Sequence, residues 1–540
     1  MQSTMQSFPL TVAAIFRHGR AAYGDSEVAT LTDDGVTRTR FSDIAERATR
    51  LASALARLGV RPGDRVATFM WNSQAHLEAY LAVPSMGAVL HTLNLRLAPA
   101  EVAYIISHAE DKLILVDADL VPVLARALPS LTHKPERFII VGDGDARPLG
   151  DDVLAYDALL AAAPPQLDWP ALDEDSAAAM CYTSGTTGQP KGVVYSHRST
   201  YLHTMAQCMG NVLGVAERDV ILPIVPMFHA NAWGLPYAAW MSGADLALPS
   251  RFMTAAGLCR LIAAVRPTIL AGVPTLFRDM LAHGTTNTID LSSVRGVLCG
   301  GSAVPEALIA RFEERFGVPI FQGWGMTETS PLAALSLPPK RGDGRTSVQY
   351  RTLSGRILPG VELRIVDDAG REQPWDGKAE GEIEVRGPWV TGSYYGEPTP
   401  EKFHDGWLRT GDVGTVERTG FIRITDRAKD VIKSGGEWIS SVALENLIMA
   451  HPSVAEAAVI GVPDDKWTER PLACVVRKPG QALDVAALCA HLDGKMARWW
   501  LPERWAFVDE VPKTSVGKFD KKVLRARYAR GELTVEQHLK

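Results

Sequence analysis

No stretch of this 540-residue chain reaches the roughly 18 apolar residues that a membrane-crossing helix needs. The best candidate, Ala79 to Leu95, is broken by Pro84, Gly87, His91 and Asn94. A basic excess is also missing. Lys and Arg total 56 against 62 Asp and Glu, a net charge of −6, which excludes a nucleic-acid-binding footprint. The balance is +2 from Lys429 onward and −8 upstream, a mild gradient that favours an anionic ligand near the C-terminal part. Cysteines are few: Cys181, Cys208, Cys259, Cys299, Cys474 and Cys489 form no CxxC pair and mostly have apolar neighbours. They read as buried free thiols in a reducing compartment, so neither a disulfide scaffold nor a metal cluster is expected. The apolar run Leu10 to Phe16 has no basic residue before it, contrary to the charge order of a secretory signal. These absences make a soluble, cytoplasmic protein the expectation. The length suggests two to four domains or subdomains, and a 46% hydrophobic content is ordinary for globular chains.

The opening part alternates helix and strand signals. Ile44, Ala48, Leu51, Leu55 and Leu58 recur at helical spacing, with Ser42 as the expected N-cap and Gly59 as the stop. A short buried strand, Val66 to Met70, follows the turn Arg61-Pro62-Gly63-Asp64. The same rhythm returns at Val102–His108 with Lys112–Val116, at Leu258–Val265 with Thr268–Ala271, and at Pro305–Phe316 with Pro319–Gln322. Repeated helix–strand units of this kind predict an α/β class with layered, mostly parallel sheets. From about Gly355, short strand-like pieces separated by Gly, Asp and Pro predict a β-rich subdomain. Residues 429–540 read as a small α+β domain after a large N-terminal domain of residues 1–428.

The most informative stretch is Tyr182-Thr183-Ser184-Gly185-Thr186-Thr187-Gly188-Gln189-Pro190-Lys191-Gly192, set between two apolar strands. Glycines let backbone N–H groups converge, hydroxyls add donors and Lys191 adds positive charge, which together make a phosphate cradle. It is not a Walker A loop, because Pro190 stands where that motif needs glycine. Four further segments follow in order. They are Gly323-Trp324-Gly325-Met326-Thr327-Glu328-Thr329, Gly406-Trp407-Leu408-Arg409-Thr410-Gly411-Asp412, Asp426-Arg427-Ala428-Lys429-Asp430 and Pro512-Lys513-Thr514-Ser515-Val516-Gly517-Lys518.

With these five segments the chain resembles the adenylate-forming family of acyl-CoA synthetases, firefly luciferases and peptide-synthetase adenylation domains, over essentially its whole length. The resemblance implies ATP, Mg²⁺ and coenzyme A as cofactors and co-substrates. It assigns Thr183 and Glu328 to Mg²⁺, and Thr327 with the loop residues Ser184, Gly185, Thr186, Thr187, Gly188 and Lys191 to the phosphates. Trp324 would offer its face to adenine, with Gln322, Gly323, Gly301 and Ala230 lining the nucleotide slot and Asp412 accepting the ribose hydroxyls. Lys518 would reach the carboxylate and α-phosphate during adenylation, with Arg427 a further catalytic candidate. Lys429 would be the hinge on which the small domain moves as a lid. Lys433 and Trp438, in a loop facing the thiol tunnel, would also touch the nucleotide.

The segment Pro226 to Pro236 looks like the border of an acyl pocket, with His229 facing the carboxylate and Trp233 gating the tail. Gly325 stands where acetate-activating relatives carry tryptophan, so an open pocket is expected and acetate is disfavoured. Each buried CH₂ of a longer tail contributes about 0.8 kcal/mol. The run Ser434 to Ser441 looks closest to medium- and long-chain fatty acyl-CoA synthetases, and also to ligases of methylthiopropionate. With no carrier domain after the lysine module, soluble coenzyme A is the expected thiol. The alternative is a carrier protein loaded in trans. Relatives of this kind pair through their N-terminal domains, which makes a homodimer the expectation.

Overall fold

The computed structural model describes residues 1–183, 189–367, 369–434, 437–513 and 519–538, without the side chains of Lys433, Glu437 and Trp438. Among these residues the N-terminal part contains two large sheets. The first has seven strands in the order Val153–Ala155, Arg137–Val141, Leu113–Asp117, Arg65–Phe69, Val89–Thr92, Ala177–Tyr182 and Gly192–Ser196. All its pairings are parallel except the last. Its central strands are mostly apolar and buried, as suits a parallel sheet; every residue of Leu113–Asp117 is buried.

The second sheet has a parallel core of Glu27–Thr32, Asp245–Leu248, Val220–Pro223, Ile269–Gly272, Gly296–Cys299 and Ile320–Gly325. Ile320–Gly325 changes the pattern. Its first half pairs in parallel with Gly296–Cys299 and its second half antiparallel with Leu332–Leu335. Beyond that switch the strands Gly355–Ile357, Phe421–Arg427, Trp407–Val416, Gly381–Arg386 and Glu362–Val366 continue antiparallel. The β-rich region expected from about Gly355 is therefore hydrogen-bonded into the same sheet through Leu332–Leu335.

The C-terminal part is a smaller α+β unit. Its six-stranded sheet carries the helices Ser441–Met449, Val485–Leu492 and Lys521–Ala529, with Ile432, Ile439, Leu444, Val459 and Trp505 in one of its cores. Among the described residues no helix is long and apolar enough to cross a membrane.

Two expectations are corrected in detail. Ser42 is not the N-cap. The helix runs Phe41–Arg57, and its first amides donate to the carbonyls of Ser26 and Gly24 at 2.8 and 3.0 Å, so no capping side chain is required. The expected loop at Lys433 to Trp438 is a hairpin, Ile432–Ser434 paired with Glu437–Ile439, because Ile432 and Ile439 are drawn into the core opposite each other.

The core also predicts a pH response. Burial pushes the imidazoles of His76 and His197 down to about 4 and that of His203 to about 3. A histidine depressed in the folded state contributes stability above its unfolded value near 6.5, lost as pH falls toward the folded value. Asp117, pushed up to about 7 by burial, works in the opposite sense as pH rises from about 4. The three histidines should lower the melting temperature as pH drops from 7 to 4.5, opposed by the carboxylates that burial raises, Asp117, Asp426 and Glu445 among them. His197→Asn, which keeps an acceptor for the Val12 amide now 3.2 Å from Nδ1, should flatten that slope. Scanning calorimetry across this range checks it, and a profile rising toward acid would contradict uncharged burial.

Candidate active site

Segments that follow strands of both sheets are joined here, as the Tyr195 hydroxyl on the seven-stranded sheet donates to the Thr327 carbonyl beyond Ile320–Gly325. The ends of parallel strands are the usual place for ligands in this class of fold. The phosphate-loop candidate springs from the strand Ala177–Tyr182 and returns through Gly192–Ser196. Its neck is closed by two hydrogen bonds. The Thr183 amide donates to the Lys191 carbonyl at 2.9 Å, and the Lys191 amide donates to Thr183 Oγ1 at 3.1 Å. Ser184, Gly185, Thr186, Thr187 and Gly188 lie outside the described residues. The Lys191 ammonium sits 3.6 Å from the Glu397 carboxylate and 5.0 Å from the ring centre of Tyr394.

Glu328 follows on a short 3-10 turn, Thr327–Thr329. Its Oε1 accepts the Tyr394 hydroxyl at 2.7 Å, its carbonyl accepts the Thr391 amide at 2.8 Å, and the Thr327 carbonyl accepts the Tyr195 hydroxyl at 2.8 Å. The turn is thus held by its backbone, and among the described residues one Glu328 oxygen has no partner. No group of three His, Cys, Asp or Glu among the described residues could cage a metal. A single carboxylate near the Thr183–Lys191 neck, with one oxygen unpartnered among the described residues, suits Mg²⁺, which keeps several waters and takes the rest of its ligands from phosphates.

The third component is a buried carboxylate. Asp412 is 3% exposed, with Oδ2 accepting Trp324 Nε1–H at 2.8 Å and Oδ1 ion-paired with Arg427 Nε at 2.8 Å. A carboxylate has about four acceptor sites, so two remain for incoming hydroxyls. Trp324 is therefore oriented by its edge, while Arg427 also reaches the Thr410 carbonyl at 3.2 Å. Gln322 does not bring a free amide to the slot. Its Oε1 accepts the Val304 amide at 2.6 Å and its Nε2 donates to the Leu353 carbonyl at 3.2 Å, which makes it a strut between loops. Gly323 packs against Leu298 and Leu332, and Gly301 turns the adjoining loop at φ 86°.

The expected acyl border has an unusual backbone. Ala230, Asn231, Ala232 and Trp233 all have positive φ, between 42° and 58°, and Gly234 follows at 75°. This is a left-handed helical turn, disfavoured by roughly 1–2 kcal/mol for each L-residue. Asn231 Oδ1 accepts the Cys181 thiol at 3.2 Å, and Gln207 Nε2 donates to the Trp233 carbonyl at 2.7 Å. His229 stands half-buried at the head of the turn. A Cβ on Gly300 would lie 3.4 Å from the Trp233 ring and 2.9 Å from the Gly323 carbonyl, so glycine lets the three chains meet.

Gly325 reads differently from its sequence. A Cβ there would overlap the Pro331 carbonyl, which shows that the missing side chain faces the neighbouring strand. Glycine is required by the irregular pairing between Trp324 and Gly325.

A buried charged cluster escaped the sequence reading. Asp426 accepts both the Ser441 amide and hydroxyl at 2.6 and 2.5 Å, while Lys521 Nζ meets Glu445 at 2.7 Å and Ser441 Oγ at 2.5 Å. Burial holds Asp426 and Glu445 above the ordinary carboxylate range; it would lower Lys521, but the facing Glu445 and Asp426 outweigh it and raise the ammonium. Arg525 holds the adjacent chain, donating to the Lys429 carbonyl at 3.3 Å and to Asp430 at 2.6 Å. The signal in the sequence was an acid at helix spacing behind two serines, Glu445 after Ser440 and Ser441, too common to single out. Lys518 and the side chains of Lys433 and Trp438 lie outside the described residues.

Residues 16–395 match the family model of the AMP-binding enzyme, and 443–518 match that of the AMP-binding enzyme C-terminal domain. The chain belongs to the AMP-binding enzyme family. Among curated relatives of this family member, a 3-methylmercaptopropionyl-CoA ligase of Ruegeria lacuscaerulensis is 42% identical over 539 residues, covering 98% of this chain and 99% of the relative. A long-chain-fatty-acid–CoA ligase of Thermus thermophilus is 44% identical, with 97% of each chain covered. Among solved structures, the anthranilate CoA ligase AuaEII in complex with anthranoyl-AMP superposes with a TM-score of 0.86 at 28% identity, covering 98% of this chain and all of that one.

Proposed function

We propose that this AMP-forming acid–thiol ligase joins unbranched carboxylic acids of medium to long chain to coenzyme A, through an acyl adenylate and with release of pyrophosphate. The observation that carries the reading is the Asp412 clamp, whose two oxygens are held by Arg427 and by Trp324, the latter four residues before the Mg²⁺ candidate Glu328. A carboxylate and a triphosphate repel, so the reaction needs fixed cations and dipoles where they meet. In this reading Asp412 takes the ribose hydroxyls, Trp324 walls the adenine, and Thr183 with Lys191 frames the phosphates. Glu328 and Thr183 would hold Mg²⁺, which when bound neutralises charge on the phosphates. His229 faces the acid, and Trp233 limits how far its tail extends. Lys518 steadies the α-phosphate during adenylation, and residues 429–540 then move about Lys429 so that the thiol can enter.

A second reading, methylthiopropionate, is favoured by the 42% identity to a ligase named for that acid. AMP release with ATP and Mg²⁺ across acetate, methylthiopropionate, octanoate and oleate, with and without coenzyme A, separates the two. Turnover rising from octanoate to oleate and requiring coenzyme A is the expected result. A maximum at methylthiopropionate would establish the second reading, and exchange without coenzyme A consumption would indicate a carrier-protein acceptor.

A further inference from the structure

The segment Thr391 to Glu397 was not among the candidate site residues, yet it touches both charged parts of the phosphate site. The Thr391 amide holds the Glu328 carbonyl at 2.8 Å, the Tyr394 hydroxyl holds Glu328 Oε1 at 2.7 Å, and the Tyr395 amide holds the Gly192 carbonyl at 2.8 Å. Glu397 lies 3.6 Å from the Lys191 ammonium, which also rides on the Tyr394 ring. That ring is 7% exposed and packs edge-on against Phe403 at 5.4 Å, so it has little room to swing.

We propose that Tyr394 is a positioning residue that sets the Glu328 carboxylate with its hydroxyl and the Lys191 ammonium with its ring face. The proposal rests on the adenylating role of the site. A glutamate has three side-chain torsions, and a hydrogen bond to one oxygen selects the arrangement in which the other is presented to a hard cation. The cation–π contact does the same for a lysine that would otherwise sweep a wide arc. Fixing both charges on one ring sets the spacing between metal carboxylate and phosphate-loop cation before any nucleotide arrives, which is electrostatic preorganisation. Glu397 balances Lys191 from the same segment, so the strap carries its own counter-charge.

The test compares wild type with Tyr394→Phe and Tyr394→Ala. Calorimetry reads the Kd of ATP as Mg²⁺ is titrated, and pyrophosphate exchange reads kcat and KM. Tyr394→Phe keeps the ring, so ATP affinity at saturating Mg²⁺ should stay near wild type, while half-saturating Mg²⁺ rises roughly tenfold with loss of a hydrogen bond to a charged group. Tyr394→Ala should also weaken ATP itself by roughly fivefold, the worth of a partly buried cation–π contact. A lowered melting temperature with unchanged Mg²⁺ dependence in Tyr394→Phe would reduce the residue to packing and overturn the proposal. ATP binding is readable without turnover. A wild type that binds ATP with Mg²⁺ but activates no acid would sink the proposed function and still leave the Tyr394 comparison decisive.

Discussion

Replacing Lys518 by alanine should lower acid-dependent pyrophosphate exchange by a factor of about 10²–10³, the usual effect of removing one charge-stabilising donor. Conversion of a supplied acyl adenylate and coenzyme A to the thioester should persist. The two half-reactions place different demands on the lid. Negative charge gathers on the α-phosphate only in the first, whereas in the second AMP leaves as a thiolate attacks the carbonyl. The base of the Lys518 loop is firm on both sides. Lys513 pairs with Phe519 across it and with the Glu456 carboxylate at 2.6 Å, and Lys521 is locked on Glu445. Loss of the ammonium should therefore leave the lid folded, and equal melting curves would verify this. A matching loss of both half-reactions would remove Lys518 from its assigned role.

Asp412→Ala should have a comparable effect on ATP through a different route. Removing one partner of a buried charged pair costs about 3–5 kcal/mol, because the other is left unsatisfied. Arg427 is 37% exposed and can turn partly to water, so the lower end applies. The Trp324 N–H cannot turn away in the same manner, since its ring is 7% exposed. The expected result is a fall in melting temperature together with a rise of about a hundredfold in KM for ATP, as two ribose hydrogen bonds and the indole's alignment are lost. KM for the acid should change little. Asp412→Asn, which retains an acceptor for the indole, should recover most of the stability and only part of the ATP affinity. Lost stability with an unchanged KM for ATP would make Asp412 purely structural.

Much of the fold could be read from the sequence, because alternating helix and strand periods reflect burial on each element separately. The strand expected at Lys112–Val116 is observed at Leu113–Asp117, and the helix expected at Pro305–Phe316 at Glu306–Phe316. What could not be read depends on pairing between distant segments. Nothing local to Gly355 says that its strand will join Leu332–Leu335 and extend the parallel sheet, since that pairing is between strands brought together only by the fold. The site divides in the same way. Asp412, Trp324 and Arg427 were named individually, but their mutual bonds join residues 88 and 15 positions apart. Gln322 and Gly325 also have contacts that the sequence did not show, a strut from Val304 to Leu353 and a close approach to the Pro331 carbonyl. Tyr394 was passed over because one tyrosine in a Gly- and Pro-flanked run has no pattern of its own; only its contacts with Glu328 and Lys191 single it out.

The left-handed turn from Ala230 to Gly234 constrains how this chain can diverge. A position at positive φ tolerates glycine or asparagine readily and β-branched residues poorly, so the neighbours of Trp233 are restricted by backbone geometry alone. Gly234 has even less latitude, since a Cβ there would lie 2.7 Å from Gln207 and 2.8 Å from His203. Mutational drift at this place is therefore channelled away from the turn itself. It falls to the side chains that hold the turn from outside, Gln207, Cys181 and Thr92, which can change one at a time without demanding a new backbone path.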